Sequence, residues 1–314
     1  MGPDSDSPQS SRTIVVSGAT GMIGSALVAS LRSRGHRVRR LLRTSRELTA
    51  DDVVWDPSTG PVPPAALADA DAVVNLAGEP IAHRWTSERK HAIRESRVRS
   101  TASLAQAIAT APRKPSVFLS GSAVGYYGDG GDALLDESSA PGTDFLARVC
   151  VEWEAAAAPA ADAGVRIVLL RSGIVMSPRG GALAKLLPIF RLGGGGPLGS
   201  GRQWMSWIGL TDQIRAIEHA LFTESMRGPA NLVAPNPVTN AEFAATLGRV
   251  LARPALVPVP AFALELLYGE MARATLLAGQ RVLPKALSAG AFEFSQSTLE
   301  GALRAELTLS PPDA

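Results

Sequence analysis

Thr13-Ile-Val-Val-Ser17 runs directly into Gly18-Ala-Thr-Gly21-Met-Ile-Gly24, and the reading of this stretch decides the fold. Four β-branched residues in five make a buried strand. The glycines then have separable tasks. Gly18 permits a tight turn out of the strand. Gly21 lets backbone approach a diphosphate with no Cβ in the way. Gly24 lets the next helix pack closely on the sheet. The helical pattern from Met22 to Arg34 brings unpaired N–H groups and the positive end of a helix dipole to the same place, with the amides of Thr20, Met22 and Ile23 nearest. Strand, glycine turn and helix in this order are the context a dinucleotide-binding βαβ unit requires.

Working outward, strand patterns alternate with helices: 37–42, 53–55, 72–76, 116–120 and 165–171, with helices over 86–109, capped by Thr86, and from Thr143 to about Ala163. Such alternation predicts an α/β protein with a Rossmann-type doubly wound parallel sheet. Residues 12–174 form the expected nucleotide-binding domain, which a helix over 211–226 rejoins. Residues 175–307 form a smaller C-terminal α+β lobe that includes an appended segment, 255–307. In that lobe 193–201 is a glycine-rich loop, Thr239-Asn-Ala-Glu242 is a capping box, and helices are expected over 261–277 and 298–307.

Composition bounds the function. The chain has 314 residues and a formal net charge of +2, which gives no bulk attraction to nucleic acid or membrane. No run of eighteen apolar residues occurs, so no spanning helix is expected. A single cysteine, Cys150, excludes an internal disulfide framework and fits the reducing cytoplasm. The four histidines lack ligand spacing, so no metal is expected. Residues 1–11 are polar and read as a disordered tail. The expected partner is a small-molecule substrate, and the expected assembly a monomer or homodimer.

The second strand selects the cofactor. An NAD site places Asp or Glu at its end to hold the ribose hydroxyls. This chain has Leu41-Leu42-Arg43-Thr44-Ser45-Arg46 there, with no carboxylate before Glu47. Arg43 and Arg46 suit a 2′-phosphate and Ser45 can donate to it, so NADP(H) is expected over NAD(H). The alternative is a solvated basic strand end. Asn75-Leu76-Ala77-Gly78 follows the fourth strand, at the sheet edge where ligands of open α/β sheets lie; Asn75 either lines the site or ties strand ends together.

These strings together resemble the extended short-chain dehydrogenase/reductase superfamily, which includes nucleotide-sugar epimerases. More narrowly they resemble its atypical "epimerase family" branch, which carries a small appended C-terminal domain. The resemblance rests on Asn75-Leu-Ala-Gly-Glu-Pro80, Arg84-Trp-Thr86, Ser96-Arg97, Ser122-Ala-Val-Gly-Tyr-Tyr-Gly128, Trp153-Glu154, Arg171-Ser-Gly-Ile-Val175, Gly193 through Ile208, Gly279-Gln280 and Leu283-Pro284. It implies NADP(H) contacts from the glycine turn, Arg43 and the loop after the fourth strand. It also implies contacts from Glu79, Arg84 and Ser120, for which a loop salt bridge is the competing reading of Glu79 and Arg84.

The resemblance also implies a Ser–Tyr–Lys set: the phenol exchanges a proton, the lysine lowers its pKa, and the serine orients the substrate oxygen. Ser122 is present. The Tyr-x-x-x-Lys pair is absent from Thr143 to Glu154, where Phe145 falls at the tyrosine position. Tyr126 and Tyr127 are the nearby phenols, expected either to act as acid with Arg148 in place of lysine, or to pack. Cys150, Glu152 and Glu154 are expected to be structural. Arg202 and Trp204, beyond the glycine-rich loop, are candidate substrate contacts on a cover or members of a tight inter-lobe loop. Gly209 stands where the branch carries a histidine. The function expected is an NADP(H)-dependent oxidoreductase or epimerase-like enzyme on a small carbonyl or hydroxyl substrate. A non-catalytic NADP(H)-binding redox sensor is the alternative, because the Tyr/Lys pair is missing.

Overall fold

A computed structural model describes residues 11–44 and 48–308. The chain opens with β1 (Thr13–Ser17), α1 (Met22–Ser33), β2 (Arg37–Leu42), β3 (Val53–Val54), α2 (Pro64–Leu67), β4 (Ala72–Asn75) and α3 (Ser87–Thr110). It continues through β5 (Val117–Ala123), β6 (Leu134–Leu135), α4 (Phe145–Ala155), α5 (Ala158–Asp162) and β7 (Arg166–Ser172). Then come β8 (Ile174–Met176), α6 (Gly181–Arg191), β9 (Trp204–Met205), β10 (Trp207–Gly209), α7 (Leu210–Phe222), β11 (Gly228–Leu232) and β12 (Val238–Thr239). The last elements are α8 (Asn240–Leu251), α9 (Ala261–Tyr268), β13 (Arg281–Val282), α10 (Lys285–Ala289) and α11 (Leu299–Thr308).

Seven strands form one parallel sheet in the order β11-β7-β5-β4-β1-β2-β3. Successive strand residues point to opposite faces, and both faces are dry. Ile14 and Val16 of β1, Val74 of β4 and Leu119 of β5 pack under α1 and α7. Val15, Val73 and Phe118 from the same strands pack under α3 and α5. This two-sided burial explains why the strands read as continuous apolar runs and why helices must lie on both faces. α7 joins the α1 side through Ile214, Ile217 and Leu221, and Glu218 on it accepts from Ser30 at 2.6 Å and pairs with Arg34 at 3.1 Å.

A second, smaller core gathers Leu183, Leu187, Phe190, Trp207, Phe243, Leu247, Leu299 and Leu303 beneath α6, α8 and α11. Two-stranded sheets join the later segments: β8 pairs with β10 and β9 with β12 among themselves, and β13 pairs with β6 of the first half. Gly209 leaves room for the Gln296 side chain, which a Cβ there would displace.

Four expectations need correction. The helix expected from Thr143 to Ala163 is two helices. Its cap is Asp144, whose side chain accepts from Ala147 N at 2.9 Å, and it restarts because Pro159 cannot donate to a preceding carbonyl. The helix expected over 261–277 stops at Tyr268, where Gly269 turns to φ 61°. β11, with Gly228 and Pro229, was not anticipated; a proline is tolerated on this edge strand. Arg148, the expected substitute for lysine, donates to the Thr143 carbonyl on an exposed face.

Candidate functional site

The sheet register brings the site residues into one line. Leu41, Ser17, Asn75 and Ser120 are successive partners across β2, β1, β4 and β5. Arg43, Gly18, Leu76 and Ser122 therefore all emerge within two residues past that line, on the edge where open α/β sheets take their ligands. Gly18 has φ 75°, and a Cβ there would lie 2.6 Å from the Leu76 carbonyl carbon, so the turn after β1 is pressed against the loop after β4. A Cβ on Gly24 would collide with the Gly18 carbonyl. Gly21 is the N-cap of α1 and supplies no side-chain cap, which leaves the first-turn amides unpaired. Thr20 and Gly21 are exposed, Met22 and Ile23 half-buried. The side chain of Met22 lies against Gly180 and Gly181 at the start of α6.

Beyond β2, the Arg43 side chain is 72% exposed and sits 3.5 Å from Glu79, which is also 3.9 Å from Arg89. The contact reaches from the end of β2 to the loop after β4. Ser45 and Arg46, the other expected 2′-phosphate groups, lie outside the described residues. Asn75 is fully buried; it donates to Thr101 at 2.9 Å and accepts from Ala77 N at 3.3 Å, tying β4 to α3. Ser120 is also fully buried. Arg84 donates to the Leu266 carbonyl of α9 at 2.7 Å, so it fastens the loop after β4 to the appended segment.

Ser122 and the two tyrosines meet a charged network. Ser122 donates to Glu154 at 2.6 Å. Glu154 pairs with Arg171 in a fork, Nε to Oε1 and Nη2 to Oε2, both at 2.8 Å. Arg171 Nη1 donates to the Tyr127 hydroxyl at 3.0 Å, and that hydroxyl donates to Asn231 at 2.7 Å. Burial opposes the Arg171 charge, but hydrogen bonds and charge from Glu154 outweigh it and raise the guanidinium pKa. Burial raises the Tyr127 pKa, with Arg171 opposing. The Arg171 guanidinium also stacks 3.5 Å from the Tyr126 ring centroid. Tyr126 is half-buried, and among the described residues its hydroxyl has no hydrogen-bond partner.

Arg171 and Asn231 were not anticipated as part of this cluster. The signal for Arg171 was present: a cation ends the apolar run 167–170. Glu154, expected to be structural, is the anion that compensates it. Phe145 packs edge-on to Trp85 at 5.1 Å, with the Lys90 ammonium 4.9 Å above its ring. Burial, with Glu154 adding, pushes the Cys150 thiol up to about 12. Arg97 of α3 donates from Nη1 to the Glu79 and Ile93 carbonyls, both at 3.0 Å, and lies over the Trp153 ring at 5.2 Å. Burial lowers its pKa.

The glycine-rich loop is stitched to the appended segment. Gly199 N donates to Val259 O at 2.8 Å, and Gln203 donates to the Leu198 and Leu276 carbonyls. Trp204 donates to Asp132 at 2.8 Å and carries Arg281 on its ring face at 4.2 Å. The Arg202 side chain is exposed. The arrangement can cradle a dinucleotide along the strand ends, with a phenol and a serine beside its inner end.

The comparisons with known proteins agree with this geometry. The pattern of the NAD dependent epimerase/dehydratase family matches residues 14–232, and a domain of unknown function, DUF1731, matches residues 259–306. The epimerase family protein Mb2239 of Mycobacterium bovis is 44% identical over 291 residues, covering 92% of this chain and 96% of the relative. The crystal structure of the human epimerase family protein SDR39U1 with NADPH superposes with a TM-score of 0.87 at 36% identity, covering 95% of this chain and all of that one. A nucleoside-diphosphate sugar epimerase structure from Corynebacterium glutamicum superposes with a TM-score of 0.79 at 38% identity, covering 95% of this chain and 58% of that one.

Proposed function

The chain belongs to the NAD dependent epimerase/dehydratase family, and from that premise we propose that it is an NADP(H)-dependent oxidoreductase or epimerase-like enzyme acting on a small carbonyl or hydroxyl substrate. The observation that carries the reading is the cradle at Gly18 and Gly24, where any Cβ would strike backbone, below the uncapped start of α1. Those residues fit a dinucleotide diphosphate. The human relative crystallised with NADPH supports the same cofactor.

In this reading Gly18, Thr20, Gly21, Met22, Ile23 and Gly24 hold the diphosphate through backbone amides. Arg43, with Ser45, takes the 2′-phosphate, for which it exchanges its contact with Glu79. Leu76, Ala77 and Gly78 form the wall beyond it, braced by Asn75 and Ser120, and Glu79 and Arg84 line its outer rim. A bound nicotinamide supplies or accepts the hydride. The substrate oxygen must gain or lose a proton in the same event, and the Tyr126 Oη is the group to move it. Arg171 fixes the plane of that ring. Ser122, already donating to Glu154, presents its lone pairs and so accepts from a substrate hydroxyl. Tyr127 braces Arg171. Arg202 and Trp204 border the substrate side.

A second reading, a non-catalytic NADP(H) sensor, draws on one observation: Ser122 and Tyr127 are both engaged in a buried network, and no lysine occupies α4. Calorimetry tests the common part. NADPH should bind more tightly than NADH, and Arg43→Ala should erase the difference; equal affinities in the parent protein would overturn the NADP assignment. Oxidation of NADPH with a panel of aldehydes and ketones separates the two readings, since a sensor turns over none of them.

A further inference from the structure

Arg97 is a half-buried cation that feels the charge of Glu79 without pairing with it. It forms no ion pair among the described residues, whereas Arg43, Arg94 and Arg171 each face a carboxylate. Only Nη1 is engaged, by the Glu79 and Ile93 carbonyls; Nε and Nη2 have no partner among the described residues. One flat face lies over Trp153. Gly78 lies against the guanidinium: a Cβ there would be 3.1 Å from Cζ and 3.2 Å from Nη2, closer than most side chains pack.

The location is informative. Gly78 is three residues past the end of β4, and Trp153 underlies Gly121 of β5, where a Cβ would be 2.7 Å from the indole. The guanidinium therefore lies between the loops that leave β4 and β5, on the far side of the β1 turn from Arg43. A dinucleotide that sets its 2′-phosphate at the end of β2 and its diphosphate on α1 brings its other half toward β4 and β5. The four lysines are Lys90, Lys114, Lys185 and Lys285; Lys90 pairs with Glu270 at 2.5 Å, and Lys185 donates to the Ala82 carbonyl at 3.3 Å.

We propose that Arg97 binds the nicotinamide nucleotide half of NADP(H), its free N–H groups donating to the ribose and phosphate oxygens of that half. It supplies the positive charge and hydrogen bonds that a lysine supplies in a Tyr/Lys site. The inference rests on the NADP(H) reading above.

Titration with two ligands tests it. NADPH carries both halves; 2′,5′-ADP carries only the adenosine half. Arg97→Met should weaken NADPH roughly 10- to 100-fold, the worth of lost charge-assisted hydrogen bonds, and change 2′,5′-ADP by less than about 2-fold, which is within ordinary mutational scatter. Arg97→Lys, which keeps a charge but not the fork, should lie between. Arg43→Ala should weaken both ligands. Equal losses for both ligands in Arg97→Met would mean that the residue only holds the Gly78–Glu79 loop, and unchanged NADPH affinity would remove it from the site; either result overturns the proposal. Thermal melting without ligand checks the fold, and if the methionine variant does not fold, the lysine variant decides by the same comparison. A parent protein that binds neither ligand would refute the cofactor reading itself, a different result from either failure of Arg97.

Discussion

Arg171 and Glu154 are among the most deeply enclosed ionised groups near the site, with side-chain exposures of 4% and 10%. Such a pair adds little net stability over an apolar substitute, but removing one member strands the other. Glu154→Gln should therefore lower the free energy of unfolding by about 3–5 kcal/mol, measured by urea titration. The two tyrosines should separate in the same experiment. Tyr127→Phe loses contacts to Arg171 and Asn231 and should cost about 1–2 kcal/mol; Tyr126→Phe should leave stability unchanged and abolish turnover once a substrate is found. Full turnover in Tyr126→Phe would remove that phenol from the mechanism.

At the scale of elements, local rules account for most boundaries. Thr86 accepts from Arg89 N at 3.2 Å and starts α3 as its sequence implies. Thr239 and Glu242 form the expected reciprocal cap on α8, so Thr239→Ala should cost about 1 kcal/mol, read as a shift in the urea midpoint with no change in cofactor affinity. The elements that were misread have physical reasons. Pro159 splits a run of alanines whose helix propensity otherwise argues for one long helix. β11 contains Gly228, Pro229 and Asn231, poor strand formers, and exists because β7 offers it an edge to pair with.

At the scale of the molecule, acid should loosen the first strands of the sheet. Burial favours the protonated form of Asp52, but hydrogen bonds from Arg40 and Thr49 outweigh it and hold its carboxyl well below the ordinary range. Asp71 behaves similarly: burial is outweighed by Thr13 N and Arg113, and the pKa is lowered. A carboxyl with a depressed native pKa contributes stability above its unfolded value, about 3.9, and loses that contribution as pH falls through the native value. Burial lowers the pKa of His36 as well, so the urea midpoint should fall slightly as pH drops below about 6.5, where the unfolded imidazole takes up a proton, and fall more steeply below about pH 4. Asp71→Asn should start lower at pH 7 and drop less; an identical acid slope would exclude Asp71 as a contributor. Elsewhere Asp212, fully buried, accepts from Ser295 Oγ at 2.6 Å and Gln296 N at 2.8 Å, fastening the appended segment to the start of α7. Among the described residues no helix is long and apolar enough to cross a membrane.

The sequence by itself determined the parallel sheet, the glycine cradle at Gly18 to Gly24 and the basic end of β2, because each depends on contacts within a few residues or on short continuous apolar runs alternating with helices. It did not determine which polar groups meet. Arg171 reaches Glu154 across 17 residues and Tyr127 reaches Asn231 across 104. Those meetings follow from the placement of β7 between β5 and β11, and the exposure of Arg97 to the loop at Gly78 follows from how α3 packs on α4. Strand order and helix packing are settled by the burial of the whole core, so the partners of a buried charge became visible only when the chain was closed around it.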